Sequence, residues 1–318
     1  MDVEIHIPGQ QVCYLRRTDR ESLLWKKASQ KIPAASAGQL WVDVADRGSD
    51  ITEFLDYEEQ AGKKYVVRSQ HNRWMERENQ GQIEEVKLHD WLRSLPAQGE
   101  SSVPIRARPG QKARTARVGV AWTALRLKPP RQPRGQERGV TLPVWSVRIW
   151  ELAPPAGLEG LEWILLTNVP VLSLADALER VEWYGSRWII EEYHKGMKTG
   201  CDIEGMQFCY RERLEPAIAL VSVIALTLLQ LRDQSRQPEA AQRPARDCLP
   251  LTWIRVLSKW RHKEVREDWT VHEFYFALAR LGGHQNRKND HPPGWLVLWR
   301  GWTHLQAMLI GAATVMGA

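Results

Sequence analysis

A strand, a helix and a second strand follow one another early in the chain, and this order restricts the fold more than any other feature. Residues 39–50 form an apolar run that ends in acidic residues, typical of a buried strand, and residues 64–69 form another strand. Residues 51–61 have the periodicity of a helix, with a capping residue before it. Strands joined through a helix pair in parallel, so the sequence predicts an α/β fold.

Downstream, the middle of the chain alternates apolar and polar residues, and the last third is helical. The alternation runs over residues 103–171, with an exposed loop at 128–135, and predicts an antiparallel β insertion. A short amphipathic helix is expected at 84–95, before the insertion. The other predicted elements are strands at 3–7 and 11–15, a helix at 20–31, and helices at 174–198, 212–235, 271–281 and 296–313.

Charge is distributed unevenly along the chain. The whole sequence carries a formal net charge of +6, whereas residues 101–138 hold ten Lys or Arg against a single acid, Glu137. Such a block favours an anionic polymer as partner, and the alternative is a flexible basic loop that binds nothing. With 43% hydrophobic and 26% charged residues, the composition is globular and excludes disorder of the whole chain.

The sequence predicts neither secretion, nor a structural zinc site, nor a membrane span. The N-terminal residues lack the basic and apolar regions of a signal peptide, and the four cysteines show no Cys-x-x-Cys spacing. The longest apolar run, residues 217–231, is short for a membrane span and favours a buried helix. We therefore expect the protein to lie in the cell interior, where thiols stay reduced, and to have no membrane partner.

Residues 184–198 place an unusual set of side chains on one face of a predicted helix. At about 100° per residue, a phenol, a guanidinium, a carboxylate and two ammonium groups fall within one narrow sector, with an imidazole beside it. Such a face suits a helix that offers one acid to a metal and several cations to phosphates. The residues are Tyr184, Arg187, Glu191, Lys195, Lys198 and, beside the sector, His194.

Asp46 and Glu191 are the first pair of acids to consider as metal ligands. Asp46 ends a predicted strand, and Glu191 lies on the cationic helix face. Two carboxylates from distant parts of a chain can hold Mg²⁺, which prefers oxygen ligands and can activate water for phosphodiester cleavage. Taken singly, each acid has a plainer interpretation, Asp46 as a helix cap and Glu191 as a solvated surface residue.

The spacing Tyr-x2-Arg-x3-Glu-x6-Lys, which begins at Tyr184 and ends at Lys198, resembles the signature of a bacterial group of DDE transposases, the insertion-sequence-4 family. The resemblance extends along the helix through Arg-Trp-Ile-Ile-Glu-Glu-Tyr-His-Lys-Gly-Met-Lys-Thr-Gly. The strand Val-Asp-Val-Ala-Asp-Arg-Gly-Ser-Asp-Ile is similar to the family's segment around its second catalytic Asp, which would be Asp46. Further similar segments are 64–71, 281–283 and 292–302, so the resemblance covers residues 20–310.

This resemblance implies an RNase H-like catalytic core with the β insertion between the second Asp and the Glu. The C-terminal helices would follow the core and would include a dimerisation region. The four parts expected are a partial core carrying the second Asp at 1–102, the insertion at 103–171, the core helix with the catalytic Glu at 172–205, and the helical region at 206–318.

The resemblance also implies roles for individual residues. Asp46 and Glu191 would be catalytic and would hold Mg²⁺ or Mn²⁺. Trp163 matches the aromatic residue that receives a flipped base, although it equally suits the core of the insertion. Arg68 would be a DNA contact, the alternative being a surface arginine paired with an acid. The residues expected to bind DNA phosphates near the cleaved end are Tyr184, Arg187, His194, Lys195 and Lys198.

The reaction implied is DNA strand transfer, in the cytoplasm of a bacterium and at its nucleoid. Metal-activated water would nick the transposon end, and the freed 3′-hydroxyl would attack further phosphodiesters, with positioning and charge stabilisation supplying most of the catalysis. The partners implied are double-stranded DNA, as transposon ends and as target, and a second subunit. That subunit would be another copy of this chain or a full-length transposase.

A DDE site needs three acids, and the residues before Asp46 offer no convincing first Asp. We therefore expect a chain shortened at its N-terminus, without the first core strand, whose neighbours in the sheet would have unpaired edges. Such a chain is expected to lack transposition activity by itself. The acids available are Asp2 and Glu4 at the start of a strand, Asp19 and Glu21 at the start of a helix, and Asp43 on the opposite face of its strand.

Three other interpretations remain open. A shortened chain could pair with a full-length transposase through helices within 212–313 and inhibit it. A non-catalytic DNA-binding remnant would use the basic segment 101–138 and would bind with salt-sensitive affinity and little sequence preference. An unrelated metal-dependent nuclease would need a third metal-binding acid, which the sequence does not offer.

Overall fold

In the computed structural model, the chain divides into two compact units, one within residues 5–187 and the other within 188–318. We describe each unit by itself. The division falls inside the segment 172–205, which the sequence predicts as one core element. The strands predicted at 3–7 and 11–15 lie outside the described residues. The structure describes residues 21–79, 81–105, 112–130 and 140–315.

The first unit contains the predicted parallel crossover. Strands β1 (Val42–Ala45) and β2 (Lys64–Arg68) pair in parallel, and the helix between them in sequence, α2, spans Thr52–Gln60. Helix α1 (Leu23–Lys31) precedes β1. The α/β prediction is therefore confirmed at this level, because parallel neighbours require a connection that crosses one face of the sheet.

The strands of the predicted insertion are antiparallel, as expected, but they extend the same sheet. The last of them pairs antiparallel with β2, so one mixed eight-stranded sheet runs through the unit. Its order is β1-β2-β8-β7-β6-β3-β4, with β5 on β6, and β1 forms one edge within the described residues. The remaining strands are β3 (Trp74–Asn79), β4 (Gln82–Lys87), β5 (Gly99–Ile105), β6 (Arg114–Leu127), β7 (Leu142–Glu151) and β8 (Glu162–Thr167).

The prediction of a helix at 84–95 is wrong for the first part of that range. The residues up to Lys87 form β4, which pairs with β3, and only Leu88–Ser94 form a helix, α3. Leu88 and Leu92 of α3 are fully buried, so the apolar spacing that indicated a helix comes from this part alone. Strands β3 and β4 are neighbours in sequence and pair as a hairpin, but the glutamates of this segment hide the alternation of apolar and polar residues that would indicate a strand.

Two apolar layers cover the two faces of the sheet. Ile164 and Leu166 of β8 pack on the face that α2 and α3 cover, whereas Trp163 and Leu165 pack on the opposite face, because successive strand residues alternate. Helix α4 (Leu174–Gly185) covers that opposite face. A capping box, formed by Ser173 and Asp176, begins α4.

The second unit is helical. The helices predicted at 212–235, 271–281 and 296–313 are confirmed, and one further helix was not predicted. The single helix predicted at 174–198 is wrong, because α4 ends at Gly185 and Ser186 turns the chain, its hydroxyl bonding the carbonyl of Glu182. The helices are α5 (Trp188–Lys195), α6 (Arg211–Ser235), the unpredicted α7 (Leu251–His262), α8 (Val271–Leu281) and α9 (Trp295–Val315).

Helix α6 has one buried and one exposed apolar side. Val221, Ala225 and Leu228 are buried in the cores of this unit, whereas Leu220 and Val223 are 67% and 64% exposed. Within the described residues, α6 alone is long and apolar enough to pass a length-and-composition test for crossing a membrane. Core helices of soluble proteins pass the same test, so this observation is weak evidence for a span. The predicted buried helix is thus buried on one side only.

Candidate metal and nucleic-acid site

The residues predicted to form the site are divided between the two units. Each group is therefore described within its own unit. The first unit holds Asp46, Arg68, Trp163, Tyr184 and Arg187, and the second holds Glu191, His194, Lys195 and Lys198.

Asp46 directly follows β1 and caps a short turn. Its Oδ1 atom accepts a hydrogen bond from the backbone N–H of Gly48 at 2.8 Å, which begins a 3₁₀ turn over Arg47–Ser49. The capping interpretation is therefore confirmed, although the capped element is this turn and not α2. The other carboxylate oxygen accepts no hydrogen bond from the described residues, and the side chain is partly exposed. One oxygen, of the kind that Mg²⁺ prefers, thus remains accessible.

The carboxyl ends of β1 and β2 meet at the same edge of the sheet, because the two strands are parallel. Ligand sites of open α/β sheets lie outside this edge. Here the edge bears a polar cleft of about 210 Å³, with Arg47 on the β1 side and Arg68 on the β2 side. Arg68 donates a hydrogen bond to the main-chain oxygen of Glu162 at 3.1 Å.

Of the residues that line this cleft, sequence reasoning singled out only Arg68, and the basic residues that it missed are Arg47, His89 and Arg93. The position of Arg47, directly after the acid that ends a predicted parallel strand, was a usable signal. His89 and Arg93 lie one helical turn apart on α3, but no local pattern connects α3 with the end of β2. Their place in the cleft depends on how α3 packs on the sheet.

Trp163 and Tyr184 lie together, on the other face of the sheet from the cleft. Their rings meet edge to face with centroids 4.9 Å apart, and Tyr184 is buried. This contact belongs to the packing of α4 on β8. Arg187 follows in the turn after α4, where its backbone N–H donates to the carbonyl of Tyr184 at 3.1 Å. The stacking of a DNA base on Trp163 remains a prediction.

In the second unit, four predicted residues form one exposed cationic face that also carries an acid. Glu191, His194 and Lys195 are exposed side chains of α5, and the two basic residues follow Glu191 by three and four positions. Lys198 follows in a π-helical turn over Gly196–Gly200 and is also exposed. The carboxylate and the cations therefore share one side of the helix, as the sequence predicts, although the π turn changes the spacing at Lys198.

The opposite side of α5 is fixed within the unit. Glu192 accepts hydrogen bonds from Arg232 at 2.6 Å and from the indole N–H of Trp295 at 3.4 Å. Burial opposes ionisation of Glu192, but the hydrogen bond and the charge of Arg232 outweigh it and lower the pKa of this carboxyl. Gly196 lets the helix approach Trp295, since a Cβ there would lie 3.2 Å from the indole ring. These contacts turn the face with Glu191 outward.

Lys198 forms an ion pair with Glu204 at 2.7 Å. Both side chains are mostly exposed, so this pair is weak and a phosphate can compete for the lysine.

No protein-family model matches the chain. Within the part of the chain that the structure describes, no three His, Cys, Asp or Glu side chains form a group that could hold a metal ion.

Proposed function

We propose that this chain is a DNA transposase subunit of the DDE type, of the insertion-sequence-4 family, acting on double-stranded transposon ends. The observation that carries the proposal is the exposed face of α5. There a single carboxylate, Glu191, is accompanied by His194, Lys195 and Lys198 and is held outward by the bonds of Glu192 on the other side. One acid among exposed cations suits a metal ion beside the phosphates of a DNA strand.

The fold of the first unit supports an RNase H-like core without identifying it. A parallel pair with a crossover helix ends in Asp46, and the antiparallel strands stand between Asp46 and Glu191 in sequence. This arrangement agrees with the resemblance of the sequence around these two acids. A fold class hosts many functions, so the argument depends on the side chains and not on the sheet.

In this proposal, Asp46 and Glu191 would hold Mg²⁺ or Mn²⁺, as the resemblance of the sequence around these two acids implies. Such an ion, when bound, activates water and stabilises the leaving oxygen of a phosphodiester. Arg187, Lys195 and Lys198 would bind the phosphates of the strand and fix its position. His194 and Arg68 would add donors, Tyr184 would contact a phosphate, and Trp163 would stack on a base.

By sequence the chain has two of the three acids of a DDE site. We therefore expect it to bind DNA ends without cleaving them when it acts alone. This expectation separates two parts of the proposal, the binding of DNA and the chemistry, which one experiment can measure side by side.

The test uses the full chain and a duplex that carries the terminal sequence of the encoding element. Binding is measured by fluorescence anisotropy at several salt concentrations, and strand cleavage is followed on gels with Mg²⁺. We expect the logarithm of the binding constant to fall linearly with the logarithm of the salt concentration. We expect no cleavage of the duplex. Each of the changes Lys195→Gln and Lys198→Gln should reduce the salt slope by about 1, because each removes one phosphate contact.

The matched control is Lys288→Gln, an exposed lysine of the same unit that lies outside α5. It should leave the slope unchanged. Absence of DNA binding by the wild type would refute the proposal as a whole. Mg²⁺-dependent cleavage by the chain alone would refute only the expectation of an incomplete site.

A regulatory subunit is the second candidate function, and the exposed side of α6 favours it. Leu220, Val223 and Leu226 are 67%, 64% and 46% exposed and lie three residues apart, which makes an apolar stripe on the helix surface. Such a stripe suits another transposase chain, either a second copy or a full-length protein. Co-purification with a tagged full-length transposase tests this role, and Val223→Glu should abolish it.

A further inference from the structure

The cleft at the carboxyl ends of β1 and β2 has three cationic side chains among its eight lining residues. Arg47, Arg68 and Arg93 contribute three guanidinium groups, and Glu162 is the one acid among its lining residues. All of these residues belong to the first unit. The cleft therefore keeps a net positive charge, and its volume of about 210 Å³ is sufficient for a small oxyanion with its water.

Arg47 is the least satisfied of the three arginines. Its side chain is exposed and forms no hydrogen bond or ion pair with any residue in the described part of the chain. Arg68, in contrast, is bound to the main-chain oxygen of Glu162. A guanidinium presents five donors in a rigid fork, and Arg47 has all of them available for a ligand.

Arg93 is bound to Glu162, and Glu162 has a second arginine partner. The Arg93 Nη2 atom lies 2.7 Å from one carboxylate oxygen of Glu162, while Arg148 binds the other oxygen at 2.9 Å. The side chain of Arg148 is only 11% exposed, and it also bonds two carbonyls of α3. The Arg93 side chain is 53% exposed, so it can turn toward a ligand while Arg148 keeps Glu162 paired.

His89 is a polar lining residue of the cleft that adds no charge. Its Nε2 atom lies 2.9 Å from the hydroxyl of Ser69, which is itself buried and lines the cleft. Burial lowers the pKa of His89, and the nearby charge of Arg93 lowers it further. The positive charge of the cleft at neutral pH therefore comes from its arginines.

We propose that this cleft binds one phosphate group, with Arg47 and Arg93 as the donors that turn onto it. Two guanidinium groups that converge on a tetrahedral oxyanion form strong, charge-assisted hydrogen bonds. The phosphate has two sources with the same chemistry: the backbone of a DNA strand, which rests on the proposed function, or a free inorganic phosphate such as pyrophosphate, which does not. Arg47 directly follows Asp46, so a strand held here would pass beside that acid.

The experiment measures duplex DNA and pyrophosphate separately, on the full chain. The variants are Arg47→Gln and Arg93→Gln, and the matched control is Arg255→Gln, an arginine of α7 that is 49% exposed and paired with Glu267 outside the cleft. We expect each cleft variant to reduce the salt slope of duplex binding by about 1, and the control to leave it unchanged. Each variant should also weaken pyrophosphate binding by about tenfold, measured by calorimetry.

The outcomes are distinguishable from failure of the proposed function. If the wild type binds no DNA but binds pyrophosphate, and the cleft variants weaken that binding, the cleft inference stands with a free phosphate as its source. If the wild type binds DNA, and the cleft variants change neither its affinity and salt slope nor the binding of pyrophosphate, the inference is overturned while the proposed function stands. If they weaken pyrophosphate binding alone, the cleft takes a free phosphate and not the DNA strand. If neither Arg47→Gln nor Arg93→Gln changes the binding of duplex DNA or of pyrophosphate, the cleft is not a phosphate site.

Discussion

Two fully buried carboxyl groups lie near the two ends of helix α2, and their surroundings differ. Asp50 lies before α2, and Glu58 lies in its last turn, and neither side chain is exposed. The carboxylate of Asp50 accepts hydrogen bonds from two backbone N–H groups, those of Gln70 at 2.7 Å and His71 at 3.0 Å. Arg73 adds an ion pair at 2.6 Å to the other oxygen, so both oxygens of this carboxylate have donors.

Glu58 has far fewer donors. The hydroxyl of Ser29 donates to its Oε1 atom, whereas its Oε2 atom is buried without a partner. A second carboxyl, that of Asp43 on β1, lies beside it, 3.3 Å from the same hydroxyl. Burial, reinforced by the charge of Asp43, raises the pKa of Glu58 to about 7, although the bond from Ser29 and the charge of Lys63 lower it.

The comparison shows that two equally buried acids can differ widely in the donors around them, and burial with few donors disfavours the charged form. Asp50 ties the end of β2 to the start of α2 as a paired ion. Glu58, to which one hydroxyl donates, has its pKa raised to about 7 and keeps its proton at a higher pH than an ordinary glutamate does. The titratable and charged groups around Glu58 are Asp43 of β1, Lys63 after α2, Tyr65 of β2 and Glu59 of α2.

The largest expected effect is that of Asp50→Asn. This change keeps the shape of the side chain but leaves the charge of Arg73, whose side chain is 13% exposed, without its partner. Removing one partner of a buried ion pair costs about 3 kcal/mol in the free energy of unfolding. Urea denaturation at pH 7 measures the loss, and the equivalent change Glu58→Gln serves as the comparison. Equal effects of the two changes would break the distinction between the sites.

The second prediction concerns pH. Since the pKa of Glu58 is raised on folding from its usual 4.5 to about 7, the folded state binds the proton more tightly. The stability that Glu58 contributes is therefore fully present below about pH 4.5 and is lost as the pH rises to about 7. Glu58→Gln should remove this decline, measured as the free energy of unfolding at a series of pH values. Glu59→Gln, an exposed neighbour, is the control and should keep the decline.

The smallest expected effect is that of Ser29→Ala. It removes the hydroxyl that donates to Glu58 and also accepts a hydrogen bond from Lys63 at 3.1 Å. The cost should be about 1 kcal/mol near pH 7, measured by urea denaturation. Because the bond from Ser29 lowers the pKa of Glu58, its loss should also move the pH decline upward. A decline that stays in place would show that Ser29 does not influence this carboxyl.

Much of the fold could be predicted from the sequence, because its elements have local signatures. The crossover over residues 39–69 shows a buried apolar run, a capped helix and a second run, and each was found. The predictions failed where the pattern was ambiguous or non-local. Strand β4 pairs with β3 in a segment rich in glutamates, and α7 follows a proline-containing stretch that suggested a loop.

The residues of the candidate site also divide into those with a local signal in the sequence and those without one. Asp46 could be singled out because it ends a predicted strand, and Arg68 through the resemblance of its segment; the two parallel strands that carry them end at one edge. Arg93 could not, because its contact with Glu162 joins residues 69 positions apart. Trp163 lies on the other face of β8 from Glu162 and packs against Tyr184, as its alternative interpretation as a core residue expects, and its stacking on a base stays a prediction.

By itself, the sequence determined the types of element, the parallel crossover and the set of charged side chains on residues 184–198, because periodicity and capping act over a few neighbouring residues. Only the tertiary structure decided which charges meet. It turned the face of α5 with Glu191 outward through Glu192, and it placed Arg47 and Arg93 at one cleft. The physical reason is that hydrogen bonds and burial depend on distance in space, which sequence separation does not specify.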